Sequence, residues 1–264
     1  AVRLARESGC GAVVVTGSNH FGAAAVYTLA MARRGTVGLA FTNSDALVAP
    51  FGGKRPLFGT NPVSLAVRGE GRDLFCADFA TSQVSYSRVK AYREAGRPVE
   101  PGWALAADGA DAAAVPSTAG SAGGAVAALQ PLGGYKGECL GMMVEILCAL
   151  LAGTPFDHEL SHLYEPPYDA PRQVAHLFVA LDVGAFTEPD AFRARVSRLL
   201  ALVRGAPAAG AGPVLAPGDP EAAAAAERRR SGIPLAAAEL AALQRIDAED
   251  EPGERLGLGE PVEP

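Results

Sequence analysis

The sequence lacks any excess of positive charge. Its 23 Lys and Arg residues stand against 29 Asp and Glu in 264 residues, a formal net charge of −6, so it has no basic surplus with which to displace counterions from a phosphate backbone. Nucleic acid is thereby excluded as the main partner. The early apolar stretch 11–15 is preceded by Arg3, Arg6 and Glu7 and is far too short for a signal h-region or a bilayer span, so no membrane partner is expected. Cysteine is sparse, with residues 10, 76, 139 and 148 showing no CxxC spacing; this argues against a disulfide scaffold and for a reduced, cytoplasmic setting. Neither GxGxxG nor GxxxxGK[ST] occurs where a nucleotide loop would need it, which removes the Rossmann fingerprint and the P-loop. An initiator methionine is absent as well. Ala1-Val2-Arg3-Leu4 reads as the inside of a helix, and a preceding segment is expected.

What is present suits a globular α/β chain: 49% of residues are hydrophobic, with aromatics at 6%, which is ample for a core. The pattern predicts the end of a helix over 1–10, a buried strand at Ala12–Val15, a helix Ala23–Arg34 and a strand Val37–Phe41. Strands at Val63–Val67 and Leu74–Asp78 follow a Gly/Pro-rich loop, and Thr81-Ser82 is expected to cap a helix Gln83–Glu94. Low-complexity Leu105–Ala128 reads as loop. The helix Gly137–Ala152 is so apolar, through Leu140, Met143, Val144, Leu147, Leu150 and Leu151, that it is expected in the core. A buried strand Ala175–Leu181, an amphipathic helix Asp190–Arg204, a Pro/Gly/Ala linker and two further helices complete the chain. The resulting organisation is an α/β domain over 11–185, helical segments of a second domain at 1–10 and 186–246, and an acidic tail at 247–264 expected to be disordered.

His158-Glu159-Leu160-Ser161-His162 matches HExxH, the pattern that on a helix presents two imidazoles to zinc and a glutamate base. Its flanks, Gly153-Thr154-Pro155 and Pro166-Pro167, leave too little room for the helix a zinc peptidase needs. A solvated turn is the favoured reading, and no metal ligands are assigned.

More telling is a set of polar, turn-rich segments beside predicted strands and helices: Ser18-Asn19-His20-Phe21-Gly22, Thr42-Asn43-Ser44-Asp45, Gly59-Thr60-Asn61-Pro62, Asp78-Phe79-Ala80-Thr81-Ser82 and Gly133-Gly134-Tyr135-Lys136-Gly137. Each alone is ordinary, since a lone histidine after a strand is more often a structural hydrogen-bond partner. Together they suggest loops converging on an anionic ligand. With Gly102-Trp103-Ala104, Pro217-Gly218-Asp219-Pro220-Glu221 and Gly232-Ile233-Pro234, they occur in an order that resembles the malate/L-lactate dehydrogenase type of NAD(P)-dependent oxidoreductase over about residues 1–245.

The resemblance implies a three-layer α/β/α sandwich with a mixed sheet, non-Rossmann dinucleotide binding and added C-terminal helices. It also implies a homodimer and hydride transfer between NAD or NADP and a small 2-hydroxy or 2-oxo acid. Carried over by motif, His20 is the candidate catalytic acid/base. His20, Phe21, Gly22, Ala23 and Ala24 would lie along the cofactor, Ser44, Asp78, Phe79 and Ala80 would meet the nucleotide, Thr60 would face substrate, and Lys136 would offer a positive charge. A solvated lysine at a helix start opposes the helix dipole, which disfavours the bland reading of Lys136. The family's upstream Ser-His-Gly segment and following arginine have no counterpart here, and the neighbourhood after Asp-x-Ala-Thr-Ser reads Ser85-Tyr86-Ser87-Arg88. A non-catalytic relative that only binds ligand or dimerises is therefore the alternative.

Overall fold

A computed structural model describes residues 1–114, 126–163, 166 and 168–249. The chain divides into two compact units, Ala1–Gly218 and the residues from Asp219 onward. The first holds a five-stranded sheet in the order β1-β7-β2-β3-β4, with β1 Cys10–Ser18, β2 Thr36–Thr42, β3 Val63–Arg68, β4 Leu74–Phe79 and β7 Val174–Asp182. A two-stranded ribbon pairs β5 Ala104–Leu105 with β6 Ala128–Leu129.

The mixed sheet that the resemblance implies is corrected: all four pairings in the large sheet are antiparallel. Strands β1 and β2 do run parallel to one another, as the crossover through helix α2 (Ala24–Ala32) requires, but they are not neighbours. Strand β7, arriving more than 130 residues later, fills the gap and runs against both, pairing Val13 with Phe178 on one side and Phe178 with Ala40 on the other. Its near-continuous apolar sequence follows from that central position, where both faces are covered. On one face Ala175 and Leu177 pack with Val144 and Cys148; on the other Ala180, with Phe178 beside it, packs with Ala5 of α1 (Val2–Ser8) and Met31 of α2. Helix α2 lies so close to β2 that a Cβ on Gly38 would stand 2.7 Å from the Met31 Cβ. The Thr28 and Ser64 hydroxyls, 2.8 Å apart, satisfy each other in that buried contact.

Two helices depart from the sequence pattern. Helix α3 runs Tyr86–Glu94 and is capped by Ser85, whose side chain accepts from the Arg88 amide. The expected cap at Thr81-Ser82 is otherwise engaged: Thr81 donates through its amide and hydroxyl to the Thr60 carbonyl, and Ser82 donates to Val84. Helix α4 runs Tyr135–Glu145 and passes into a π-helical turn at Ile146–Leu150. Gly137, Gly141, Val144, Cys148 and Ala149 are buried, whereas Met142, Met143, Ile146, Leu150 and Leu151 are exposed. The expectation of a wholly buried helix is thus corrected. Only one face can meet the sheet at 3.6 residues per turn, and the rest forms an apolar stripe.

Helix α5 spans Pro189–Arg204 within the first unit, with proline at its start, where a missing N–H costs nothing. The second unit contains α6 (Asp219–Ser231) and α7 (Ala237–Glu249). Of the segments expected to be irregular, 115–125 and 250–264 lie outside the described residues.

Candidate functional site

The strand register explains why distant loops meet. Ser18 at the end of β1 lies opposite Val174 at the start of β7, Thr42 at the end of β2 lies opposite His176, and Val63 at the start of β3 faces both Phe41 and Phe79. The segments 18–24, 42–45, 59–62 and 78–80 therefore share one end of the sheet. They enclose a cavity of about 240 Å3 lined by His20, Phe21, Gly22, Ala23, Ala24, Ser44, Thr60, Asp78 and Ala80, among others. Two expected site residues are placed elsewhere. Phe79 is exposed and does not line the cavity, and Lys136, exposed in the first turn of α4, does not line it either. The fifth polar loop reaches the site only indirectly, through Leu132 donating to the Thr81 carbonyl and Gly133 to the Gln83 side chain.

His20 is exposed at the mouth, with Nδ1 accepting from the Gly22 amide at 3.1 Å. In the neutral ring that bond leaves the proton on Nε2. Phe21 stacks on His176 with centroids 4.3 Å apart and on Tyr27 at 4.7 Å, so the loop between β1 and α2 is anchored by its aromatic residue. His176 is buried, and its Nδ1 lies 2.7 Å from the Thr42 hydroxyl. The Thr42 hydroxyl also lies within hydrogen-bond distance of the Asn43 and Ala175 carbonyls, so the ring is tied to the ends of β2 and β7. Burial chiefly holds its pKa below the usual histidine value, opposed by a hydrogen bond to the Asn19 backbone and reinforced by the neighbouring His20. The sequence signal for this role was only a histidine in an apolar strand.

The first turn of α2 does meet an anion, and it comes from within the chain: Asp78 accepts from the Ala25 amide at 2.7 Å and caps a helix whose own N-cap, Ala23, has no polar side chain. Ser44 and Thr60 are coupled across the cavity wall, the Thr60 amide donating to the Ser44 hydroxyl at 3.1 Å. A Cβ at Gly59 would lie 2.4 Å from that same hydroxyl, so only glycine permits this approach. Behind them Asp157, fully buried, accepts from the Gly59 amide and the Asn61 side chain, each at 2.7 Å, while Glu145 accepts from the Asp157 amide at 3.0 Å. Burial pushes Asp157 up to about 7, with Glu145 adding to the rise, and burial also raises Glu145.

The remaining wall holds a buried ion pair that sequence reasoning did not single out. Arg172 donates to Asp45 at 2.5 Å and to the Ser161 carbonyl, and His162 lies 3.7 Å from the second Asp45 oxygen. This placement also settles the HExxH pattern. His158 and Glu159 sit in a single 3-10 turn, Asp157–Glu159, after which Leu160 is extended; Glu159 accepts from the Phe156 amide and His162 turns to Asp45. The two imidazoles share no helical face. No group of three metal-ligating side chains occurs among the described residues, and no helix among them is long and apolar enough to cross a membrane.

Comparison with known proteins follows the same outline. A family model described as malate/L-lactate dehydrogenase matches residues 1–244. A (2R)-3-sulfolactate dehydrogenase (NADP(+)) of Chromohalobacter salexigens is 41% identical over 189 residues, 71% of this chain and 54% of the relative. A ureidoglycolate dehydrogenase (NAD(+)) of Escherichia coli O157:H7 is 32% identical over 200 residues, 76% of this chain and 55% of that protein. The crystal structure of malate dehydrogenase from Entamoeba histolytica superposes with a TM-score of 0.84 at 27% identity, covering 94% of this chain and 70% of that one. The matched region thus spans little more than half the length of these two curated relatives.

Proposed function

The chain belongs to the malate/L-lactate dehydrogenase family, and on that premise we propose that it carries the dinucleotide end of a dehydrogenase that moves a hydride between NAD or NADP and a small 2-hydroxy acid such as malate, lactate or ureidoglycolate. The observation that carries this is the convergence of His20, Ser44, Thr60 and Asp78 on one cavity at a single end of the sheet. At about 240 Å3 the cavity is smaller than the roughly 300–1,000 Å3 of a whole small-molecule site, which fits one end of an extended dinucleotide. Its donor set fits too, with the backbone of 20–24 leading into α2 and the Ser44 hydroxyl. Binding would be non-Rossmann, on loops at the end of an antiparallel sheet covered by helices on both faces in three layers.

A bound nicotinamide supplies the hydride acceptor or donor. His20, with its proton on Nε2, donates a hydrogen bond to the substrate oxygen. To take a proton from a hydroxyl during oxidation, the ring must release the Gly22 amide and present a bare Nε2. Gly22, at φ 80 with open space beside its Cα, permits that movement. Thr60, held by Ser44, faces the substrate. Ser44 and the 78–80 segment hold the nucleotide, and Lys136 meets a more distant charged part of it.

We place this function in a homodimer, supported by the exposed apolar stripe of Met142, Met143, Ile146, Leu150 and Leu151, and in the cytoplasm, supported by four free cysteines. The test is turnover followed by NAD(P)H absorbance with malate, lactate, sulfolactate and ureidoglycolate. His20→Ala is expected to lower turnover about a hundredfold or more, the usual contribution of an acid/base. Near-normal turnover in that variant removes His20 from the chemistry. Dinucleotide binding without turnover by the unaltered chain assigns it to the non-catalytic reading.

A further inference from the structure

We propose that Arg172 is an anion anchor of this cavity, gripping an oxyanion of the bound ligand through the terminal nitrogen that Asp45 leaves free. The proposal rests on reading the cavity as a dinucleotide and 2-hydroxy-acid site. Both ligands carry oxyanions, a pyrophosphate and a carboxylate, and a site for either requires a cation. Among the described lining residues Arg172 is the one lysine or arginine, while Asp45 and Asp78 are both acidic. Lys136, the cation expected from the sequence, lies outside the lining.

Arg172 is nine-tenths buried, at 9% exposure. Its Nε and Nη2 donate to the Ser161 carbonyl at 3.3 and 3.0 Å, and Nη2 also donates to Asp45. Among the described residues Nη1 makes no hydrogen bond, and it is not among the buried atoms without a partner. It is the donor that Arg172, as a lining residue, has left to offer the cavity. One edge of a planar fork is fixed and the other is presented, the arrangement in which arginine recognises carboxylate or phosphate with little orientation left to lose. The backbone supports this aim. Gln173, next in sequence, has φ 57, a left-handed conformation that a non-glycine residue adopts only when held there; the kink separates Arg172 from the start of β7 at Val174.

The neighbouring acids do not fill the role of ligand. Asp45 is held by Arg172 through one oxygen and faces the Leu163 amide and His162 with the other. Asp78 is engaged by the Ala25 amide across the cavity. The pair Asp45 and Arg172 is neutral, so the incoming oxyanion is selected by the directed N–H groups of Nη1 more than by net charge.

Removing Arg172 alone would strand a buried carboxylate, so the test uses the charge-balanced pair Asp45→Asn with Arg172→Gln, together with Arg172→Lys. Affinities for NADH, NADPH, inorganic pyrophosphate and oxamate are measured by fluorescence and calorimetry, with melting temperature as the folding control. The double variant is expected to weaken the gripped anion about 10- to 100-fold, the worth of a charge-assisted hydrogen bond. Arg172→Lys is expected to lose less, because it keeps the charge without the fork.

Weakened pyrophosphate and dinucleotide with unchanged oxamate identify the cofactor's phosphates as the anion; weakened oxamate alone identifies the substrate carboxylate. Unchanged affinity for both anions in a folded variant overturns the proposal. If the double variant does not fold, Arg172→Lys decides by the same criterion. If the unaltered chain binds pyrophosphate or oxamate but neither dinucleotide, the dinucleotide reading fails while the anchor stands. If it binds none of the four, both fail.

Discussion

Replacing Asp157 with asparagine tests the packing behind the site through the pH dependence of stability. Asp157 is fully buried, and its Oδ2 accepts from Gly59 and Asn61. Burial chiefly, with nearby Glu145 adding, pushes its pKa up to about 7. An unfolded aspartate titrates near about 3.9. Between these values the native protein keeps a proton that the unfolded chain has released, so stability falls as pH rises. The stabilisation is complete below about pH 4 and is lost as pH passes through about 7. A difference of about three pKa units is worth about 4 kcal/mol. Asparagine has no such titration, yet its amide oxygen can accept the same two hydrogen bonds. Urea unfolding of both proteins from pH 4 to 8 should show their stability difference moving toward the variant by about 4 kcal/mol as pH rises. The slope from Glu145, whose pKa is also raised, is present in both proteins and largely cancels. Parallel stability curves, with a change under about 1 kcal/mol, would refute a protonated Asp157 behind the Gly59–Asn61 turn.

Other expectations concern the surface and the thiols. Ile146→Glu, on the exposed apolar stripe, should convert the proposed dimer to monomer while changing unfolding stability by no more than about 0.5 kcal/mol; an unchanged sedimentation coefficient would remove the stripe as a dimer contact. Cys148 is fully buried and its thiol is pushed up to about 12 by burial, whereas Cys10 and Cys139 are exposed. A thiol reagent should label those two in the native protein and reach Cys148 only after unfolding; native labelling of Cys148 would contradict its packing against Ala175 and Leu177.

The elements that local pattern determines were legible in the sequence. Short apolar runs such as Ala12–Val15 and Val37–Phe41 fall within strands, and the polar segments after them stand at one sheet end. The legible features depend on neighbours in sequence. What depends on partners far along the chain was not: β7 enters between the parallel strands β1 and β2, and that single insertion replaces a parallel neighbour pair by two antiparallel ones. For the same reason Arg172 could not be tied to Asp45, 127 positions away, nor Asp157 to Asn61, 96 positions away. Helix α4 misled in a different way. Its composition is apolar enough for a core helix, but composition cannot say how many of its faces find a partner within this chain.

Lys136 lies outside the cavity lining, so the contact proposed for it falls beyond this cavity. The motif is present, its glycines form the turn, and α4 begins there, yet the positive charge at the cavity wall comes from Arg172. A basic residue just before a buried strand is the signal that could have drawn attention to it, though that pattern is common where no ligand binds.

The central claim is that the end of the sheet bearing His20, Ser44, Thr60 and Asp78 takes a nicotinamide dinucleotide. Its most direct measurement is hydrogen exchange of the chain with and without saturating NADH or NADPH. Protection is predicted in the segments 18–25, 42–45, 59–62 and 78–80, with the opposite end of the same strands unchanged. Protection absent from those segments, or confined to another part of the molecule, would contradict it.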